Sequence, residues 1–332
     1  MDGDPKCLKR AQTITSTSCS PYVYNTNTNA AITYSGGGLS SPYGVAVDSA
    51  NNLYIADSVS VRKYAWNTYN YSSGGIIVAP SSTTQGSTGT QFGSVLAICT
   101  DSDSNLYISD INGYSNGYSN YRIQKWDNGA VWGPTVAGGN SQGPALNQIS
   151  TSFGIYVDWN YNLYASDNNY HRVTKWAPYS TIGILVAGNN GSGSNATQLN
   201  SPRGVFVDQM GNVYDVDTGN HRVQKWNVGA TFGVTVAGGN GQGQCATQLN
   251  NPTAIYLRTD GVLFVLDAGN QRIVQWSPNA AYGVTVFDGS NGVFSVYTYA
   301  MTMDLTGNLY VADAHRWQVK KIEIISTGAC GK

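Results

Sequence analysis

The sequence predicts an all-β chain folded as a six-bladed β-propeller. Three observations carry that prediction: a unit of about 50 residues recurs six times, each full unit holds four short β-type runs, and no window sustains a helical period.

The repeat is plain by eye. From Gly204 the chain reads GVFVDQMGNVYDVDTGNHRVQKWNVGATFGVTVAGGNGQG, and from Gly154 it reads GIYVDWNYNLYASDNNYHRVTKWAPYSTIGILVAGNNGSG. Asp57, Asp110, Asp167, Asp217, Asp267 and Asp313 end the second run of each unit, at spacings of 53, 57, 50, 50 and 46 residues. In the fourth unit the runs are 204–208, 212–217, 222–226 and 233–237. Val, Ile, Tyr and Phe fill them, while Gly, Asn, Asp and Ser separate them. A four-stranded blade leaves an apolar face open until a neighbour covers it, so blades repeat radially.

The sixth unit runs through 301–304, 308–313 and 319–324 and lacks a fourth run. Residues 31–37, AITYSGG, match the fourth-run pattern GVTVAGG of 233–239. The N-terminal strand is therefore expected to complete the last blade, closing the ring without an open seam. This divides the chain into an extension, 1–21, a single propeller, 22–326, and a tail, 327–332.

Composition narrows the function. The 332 residues carry a net charge of −1, and 11% are charged, against about 25% in an average domain. A nucleic-acid binder would need a basic footprint, so no nucleic-acid partner is expected. Abundant aromatic and β-branched residues with low charge exclude disorder. No apolar run approaches the ~18–20 residues of a membrane span. The start, MDGDPKCLKR, has no apolar leader region, so no signal peptide is read there.

The run SPRGVFVDQMGNVYDVDTGNHRVQKW, from Ser201 to Trp226, resembles an NHL repeat, with Asn220-His221-Arg222 in place of the Asn-His-Leu triplet. The resemblance recurs over roughly residues 31–324. It implies the propeller fold and leaves function open, because NHL propellers include binding modules, RNA binders and a class of lyase.

Recurring polar residues read as scaffold. Arg62, Arg122, Arg172, Arg222 and Arg272 follow the Asp series in five units, with Gln318 in the sixth. Such pairs suit turn carboxylates beside guanidinium groups. Asp48, Asp101, Asp158, Asp208 and Asp304 end the first runs before turns, and Arg258 breaks that series. Asp101-Ser102-Asp103-Ser104-Asn105 lacks the Gly and distal Glu of an EF-hand loop. Three histidines could bind zinc, and the resemblance brings in a lyase with a His cluster at its channel. Here His171 and His221 hold the same place in successive units, and His315 is offset by two. Equivalent places in adjacent blades sit too far apart to share a metal readily. Trp66, Trp126, Trp176, Trp226 and Trp276, with Ile322, end the third runs and are expected to pack between blades. An aromatic sugar-binding ring is the alternative.

Asymmetric positions are the better site candidates. Tyr43, Leu96, Phe153, Arg203, Thr253 and Tyr299 stand five residues before the first-run Asp places and are expected at the channel mouth. They suit an aromatic plug, or a pocket for a small anionic or aromatic ligand. Asp215 stands where other second runs carry apolar residues, with Arg203 a conceivable partner. The insertion NGYSNGYSNY offers Tyr114, Tyr118 and Tyr121 with the composition of binding loops.

Cys7, Cys19 and Cys330 flank the closure, and either Cys19–Cys330 or Cys7–Cys330 would staple it. Cys99 is expected as a buried thiol, Cys245 lies in a loop, and five cysteines leave at least one without an intrachain partner. Sequons at Asn70, Asn190 and Asn195 fall in loops, where a glycan fits, although an Asn- and Ser-rich chain also produces sequons by chance.

The expected function is a non-enzymatic, extracellular interaction or assembly propeller. It would take a protein partner or a second copy, with no metal or other cofactor, and a small ligand in the channel is conceivable. The rival is a channel-metal enzyme of lyase or lactonase type.

Overall fold

The computed structural model describes residues 22–24, 32–34, 39–66, 75–80, 85–111, 120–188 and 190–327. Two short strands, β1 (Tyr22–Tyr24) and β2 (Ile32–Tyr34), precede the blades. Blade 1 holds β3 (Pro42–Val47), β4 (Leu53–Asp57), β5 (Ser60–Tyr64) and β6 (Ile76–Ala79). Blade 2 holds β7 (Ser94–Thr100), β8 (Leu106–Ile111), β9 (Arg122–Trp126) and β10 (Thr135–Gly138). Blade 3 holds β11 (Ile155–Val157), β12 (Leu163–Asp167), β13 (Arg172–Trp176) and β14 (Ile184–Ala187). Blade 4 holds β15 (Val205–Val207), β16 (Val213–Asp217), β17 (Arg222–Trp226) and β18 (Val234–Gly238). Blade 5 holds β19 (Ala254–Leu257), β20 (Leu263–Asp267), β21 (Arg272–Trp276) and β22 (Val284–Asp288). Blade 6 begins with β23 (Thr298–Met303), β24 (Leu309–Asp313) and β25 (Gln318–Ile322), and β26 (Ile324–Thr327) follows it.

Every blade is an antiparallel sheet in chain order, and β2 is the fourth strand of blade 6. It pairs with β25, Ile32 opposite Lys321 and Tyr34 opposite Val319. The chain start therefore closes the ring, as its match to the fourth-run pattern predicts. The first strands of neighbouring blades touch in turn, β3 to β7 and onward until β23 returns to β3, so they line the axis. Beyond the expected blades, β1 pairs with β26. Tyr24 of β1 is buried edge-on against Phe264, ring centroids 5.9 Å apart, in the core between blades 5 and 6.

The second strands explain the sequence pattern. All six are buried along their whole length, because each lies mid-blade with another blade against either face. They consequently read as near-continuous apolar runs rather than alternating ones. The core is divided into clusters between adjacent blades. Trp126, Trp176, Trp226 and Trp276 are buried in four of them, and Ile322 in a fifth.

Blade 1 departs from the expected register. Its second and third strands meet through a turn that sets Asp57 opposite Ser60, two residues shorter than the turn between Asp167 and Arg172. Tyr64 therefore lies opposite Leu53, the place that Trp176 takes opposite Leu163, and Trp66 is exposed beyond the strand end. Likewise Arg62 faces Ile55 instead of Asp57. A two-residue shift leaves every side chain on its original face. The apolar pattern consequently survives it, and spacing alone does not reveal it.

Close approach of the first strands requires small residues. A Cβ on Gly154 would overlap the carbonyl oxygen of Arg203 in the next blade. Gly154→Ala is expected to destabilise the fold by about 1–3 kcal/mol, the usual cost of overpacking. Urea denaturation would show this, and an unchanged midpoint would contradict it. No helix among the described residues is long and apolar enough to cross a membrane.

Candidate functional site

The first strands start at one end of the channel, here the mouth, and finish at the opposite end. At the mouth, four of the six expected residues meet. The Tyr299 ring lies 5.2 Å from that of Tyr43 and stacks on Phe153 at 6.1 Å with planes 10° apart. Blades 3 and 6 face each other across the ring, so this stack spans the axis. The Arg203 guanidinium carbon sits 4.7 Å from the Phe153 centroid and 5.4 Å from that of Tyr299. Leu96 and Thr253 are buried, while Tyr43, Phe153, Arg203 and Tyr299 are half-buried.

Arg203 is unlike the four arginines that pair with the strand-end aspartates. Arg122, Arg172, Arg222 and Arg272 each donate Nε–H to the Asp ending the preceding strand, at 2.7–3.0 Å. Their remaining N–H groups donate to carbonyls of the loop entering the blade, as Arg272 does to Gln244, Cys245 and Gln248. Three of these carboxylates, Asp110, Asp217 and Asp267, also accept backbone N–H groups of that loop, from Gly93, Asn200 and Asn250, and Asp167 accepts the Ser150 hydroxyl. These pairs are the scaffold. Arg203 has no carboxylate within 4.0 Å among the described residues, and its buried Nε has no hydrogen-bond partner. Burial holds its pKa below the usual arginine value.

Asp215 is not the partner of Arg203. It lies in β16 opposite Val205 and Gln224, fully buried, with neither carboxyl oxygen hydrogen-bonded. Burial, reinforced by nearby Asp217, pushes its carboxyl well above the usual carboxylate range. It shares a strand face with Val213, which packs into the core between blades 3 and 4.

Two of the three histidines hold loops, while His315 lies against the Tyr297 ring with centroids 5.3 Å apart. Nδ1 of His171 accepts the Ser201 backbone N–H at 3.0 Å, and Nδ1 of His221 accepts that of Asn251 at 3.1 Å. Among the described residues no three His, Cys, Asp or Glu side chains are grouped to hold a metal ion.

At the opposite end the turns of five blades are each built on an Asp. Oδ1 of Asp48 accepts the backbone N–H groups of Ala50 and Asn52, and Oδ2 accepts Asn52 Nδ2 and the Tyr54 hydroxyl. The same Asp–Asn–Tyr set recurs at Asp101, Asp158, Asp208 and Asp304. Blade 5 replaces all three members, with Arg258, Val262 and Phe264. Loss of the carboxylate goes with loss of both side-chain donors, the Asn amide and the Tyr hydroxyl, that would otherwise need it.

That end also carries a feature that strand spacing alone does not single out. Trp132, Ile182, Phe232 and Tyr282 stand at equivalent places before the fourth strands of blades 2–5, and each is more than half exposed. They recur at a 50-residue phase in the sequence, outside the strand runs. Trp159, Met210 and Leu305 add exposed apolar side chains from the turns at the same end. Between blades 3 and 4 a groove of about 680 Å³ joins Trp159, Ile184, Met210 and Val228, with Lys175 and Asp208 beside it.

The remaining candidates are scattered. Tyr121 is half-buried against the core between blades 2 and 3, and Cys99 lies half-buried against the same core, its thiol pKa raised by burial. Asn190 and Asn195 are exposed on the loop between blades 3 and 4. Tyr114, Tyr118, Cys7, Cys19, Cys330 and Asn70 lie outside the described residues.

The NHL repeat family model matches residues 199–226, the stretch containing Asn220 and His221. No curated protein matches the sequence. Among solved structures, a Bacteroides thetaiotaomicron protein of unknown function is similar, with 14% identity over 89% of this chain and 72% of its own, at a TM-score of 0.62. An auxiliary nutrient binding protein from the same organism has 14% identity over 87% and 70%, at 0.61. A streptogramin B lyase has 10% identity over 89% and 97%, at 0.54. At these identities the likeness is one of fold. The chain is a six-bladed β-propeller carrying an NHL repeat.

Proposed function

We propose that the protein is a non-enzymatic, extracellular interaction propeller that assembles with copies of itself through the end opposite the channel mouth. The observation that carries this reading is the recurring exposed set Trp132, Ile182, Phe232 and Tyr282. Single exposed apolar residues are ordinary, but a set repeated on one end of a rigid ring fits an interface. Charge supports the reading too. The outer strands β6, β10, β14, β18 and β22 carry one charged residue among them, Asp288. Edges that stay unpartnered are commonly guarded by Lys or Pro. A net charge of −1 adds little repulsion between copies.

Sedimentation equilibrium of the untagged protein tests the reading. Average mass should rise with concentration, and the double variant Phe232→Lys, Tyr282→Lys should remain near one chain mass with an unchanged β-type circular dichroism spectrum. A wild-type protein that stays monomeric over the same range would contradict it.

A further inference from the structure

We propose that the channel mouth binds a small organic oxyanion, a carboxylate or phosphate group on a planar ring, with Arg203 as its counter-charge. The inference does not depend on the assembly reading, since it concerns the other end of the ring. Its first support is a contrast within one chain. The scaffold arginines Arg122, Arg172, Arg222 and Arg272 each have an Asp within 3.0 Å, whereas Arg203 has no carboxylate within 4.0 Å among the described residues. A half-buried charge without a counter-charge is costly, and an arriving anion would relieve that cost.

The second support is geometry. Phe153 and Tyr299 hold the guanidinium group by cation–π contacts. Such contacts satisfy none of its hydrogen-bond donors, and buried Nε–H is without an acceptor. A guanidinium group offers parallel donors that fit two oxygens of a carboxylate or phosphate. Thr253 takes the equivalent place in the next blade; it is 3% exposed, and its Oγ1 has no hydrogen-bond partner. A ligand oxygen held by Arg203 would have this hydroxyl as a neighbouring donor. The two residues are fixed from behind by matching backbone bonds, Arg203 N–H to Val216 and Thr253 N–H to Leu266, both at 3.0 Å. The remaining wall is aromatic, with the Tyr43 ring tilted against Tyr299, which suits a planar ring attached to the anion.

Calorimetric titration with benzoate, phenyl phosphate and inorganic phosphate tests the site, with benzamide as the neutral analogue of benzoate. The wild type should bind at least one aromatic oxyanion saturably, at about 1 mM or tighter, and benzamide at least roughly tenfold more weakly. Arg203→Met should weaken that binding by roughly tenfold or more, and Thr253→Val by a few-fold. Denaturation midpoints of both variants at or above the wild-type value would show that they fold. Inorganic phosphate binding as well as phenyl phosphate would refute the aromatic part of the proposal. Equal binding by the wild type and Arg203→Met, or no saturable binding of any probe up to about 10 mM, would overturn the site.

Discussion

Asp217→Ala is expected to destabilise the propeller by about 3–5 kcal/mol at pH 7, the usual consequence of removing one partner of a buried ion pair. The Asp217 carboxylate is fully buried and accepts Arg222 Nε–H at 2.7 Å, the Asn200 backbone N–H at 2.7 Å and Asn220 Nδ2 at 2.8 Å. Burial raises its pKa, and these donors pull it back. Without the carboxylate, the Arg222 charge and the loop N–H lose their acceptor together. Arg222 also holds the carbonyls of Asn195 and Gln198, so the loop between blades 3 and 4 should loosen as well. Guanidinium denaturation measures the loss. A change under about 1 kcal/mol, the range of an exposed pair, would contradict the scaffold role.

Two residues earlier on the same strand, the opposite sign is expected. Asp215→Val should stabilise the fold by about 1–3 kcal/mol at pH 7, the desolvation cost of an unsatisfied buried polar group. The equivalent strand positions hold Ile55, Ile108, Ala165, Val265 and Val311, so the site accepts an apolar side chain in every other blade. The pH dependence follows from linkage. The folded pKa of Asp215 lies well above its unfolded value, so the folded chain binds this proton more tightly. Stability is lost as pH rises from about 3.9 toward the raised folded value. The advantage of Asp215→Val should therefore be smaller near pH 4 than at pH 7. Equal stability of both proteins at pH 7, or a larger advantage in acid, would show that Asp215 has a partner.

These two aspartates also mark what the sequence could and could not disclose. The recurrence of Asp and Arg at fixed spacing points to pairing, and four of the pairs are present as read. Asp215 stood out as an exception, but its lack of a partner depends on packing that no spacing encodes. Ring closure was legible because residues 32–34 repeat the pattern of the other fourth strands. The added pairing of β1 with β26 was not, since two short strands from opposite chain ends share no turn signal. Blade 1 misled because its turn is shorter by an even number of residues, which preserves the buried face. Spacing offered six mouth residues, of which four meet, and only coordinates bring Phe153, Arg203 and Tyr299 together across the axis. The exposed set at the opposite end obeys the same repeat as the core. It carries no strand signal, because its side chains are exposed and lie between strands.

Hydrogen–deuterium exchange at dilute and concentrated protein would locate the surface through which copies assemble. Raising the concentration should protect amides around residues 130–136, 180–186, 230–236 and 280–286. Protection confined to the mouth loops, or none at a concentration where the mass has risen, would contradict it.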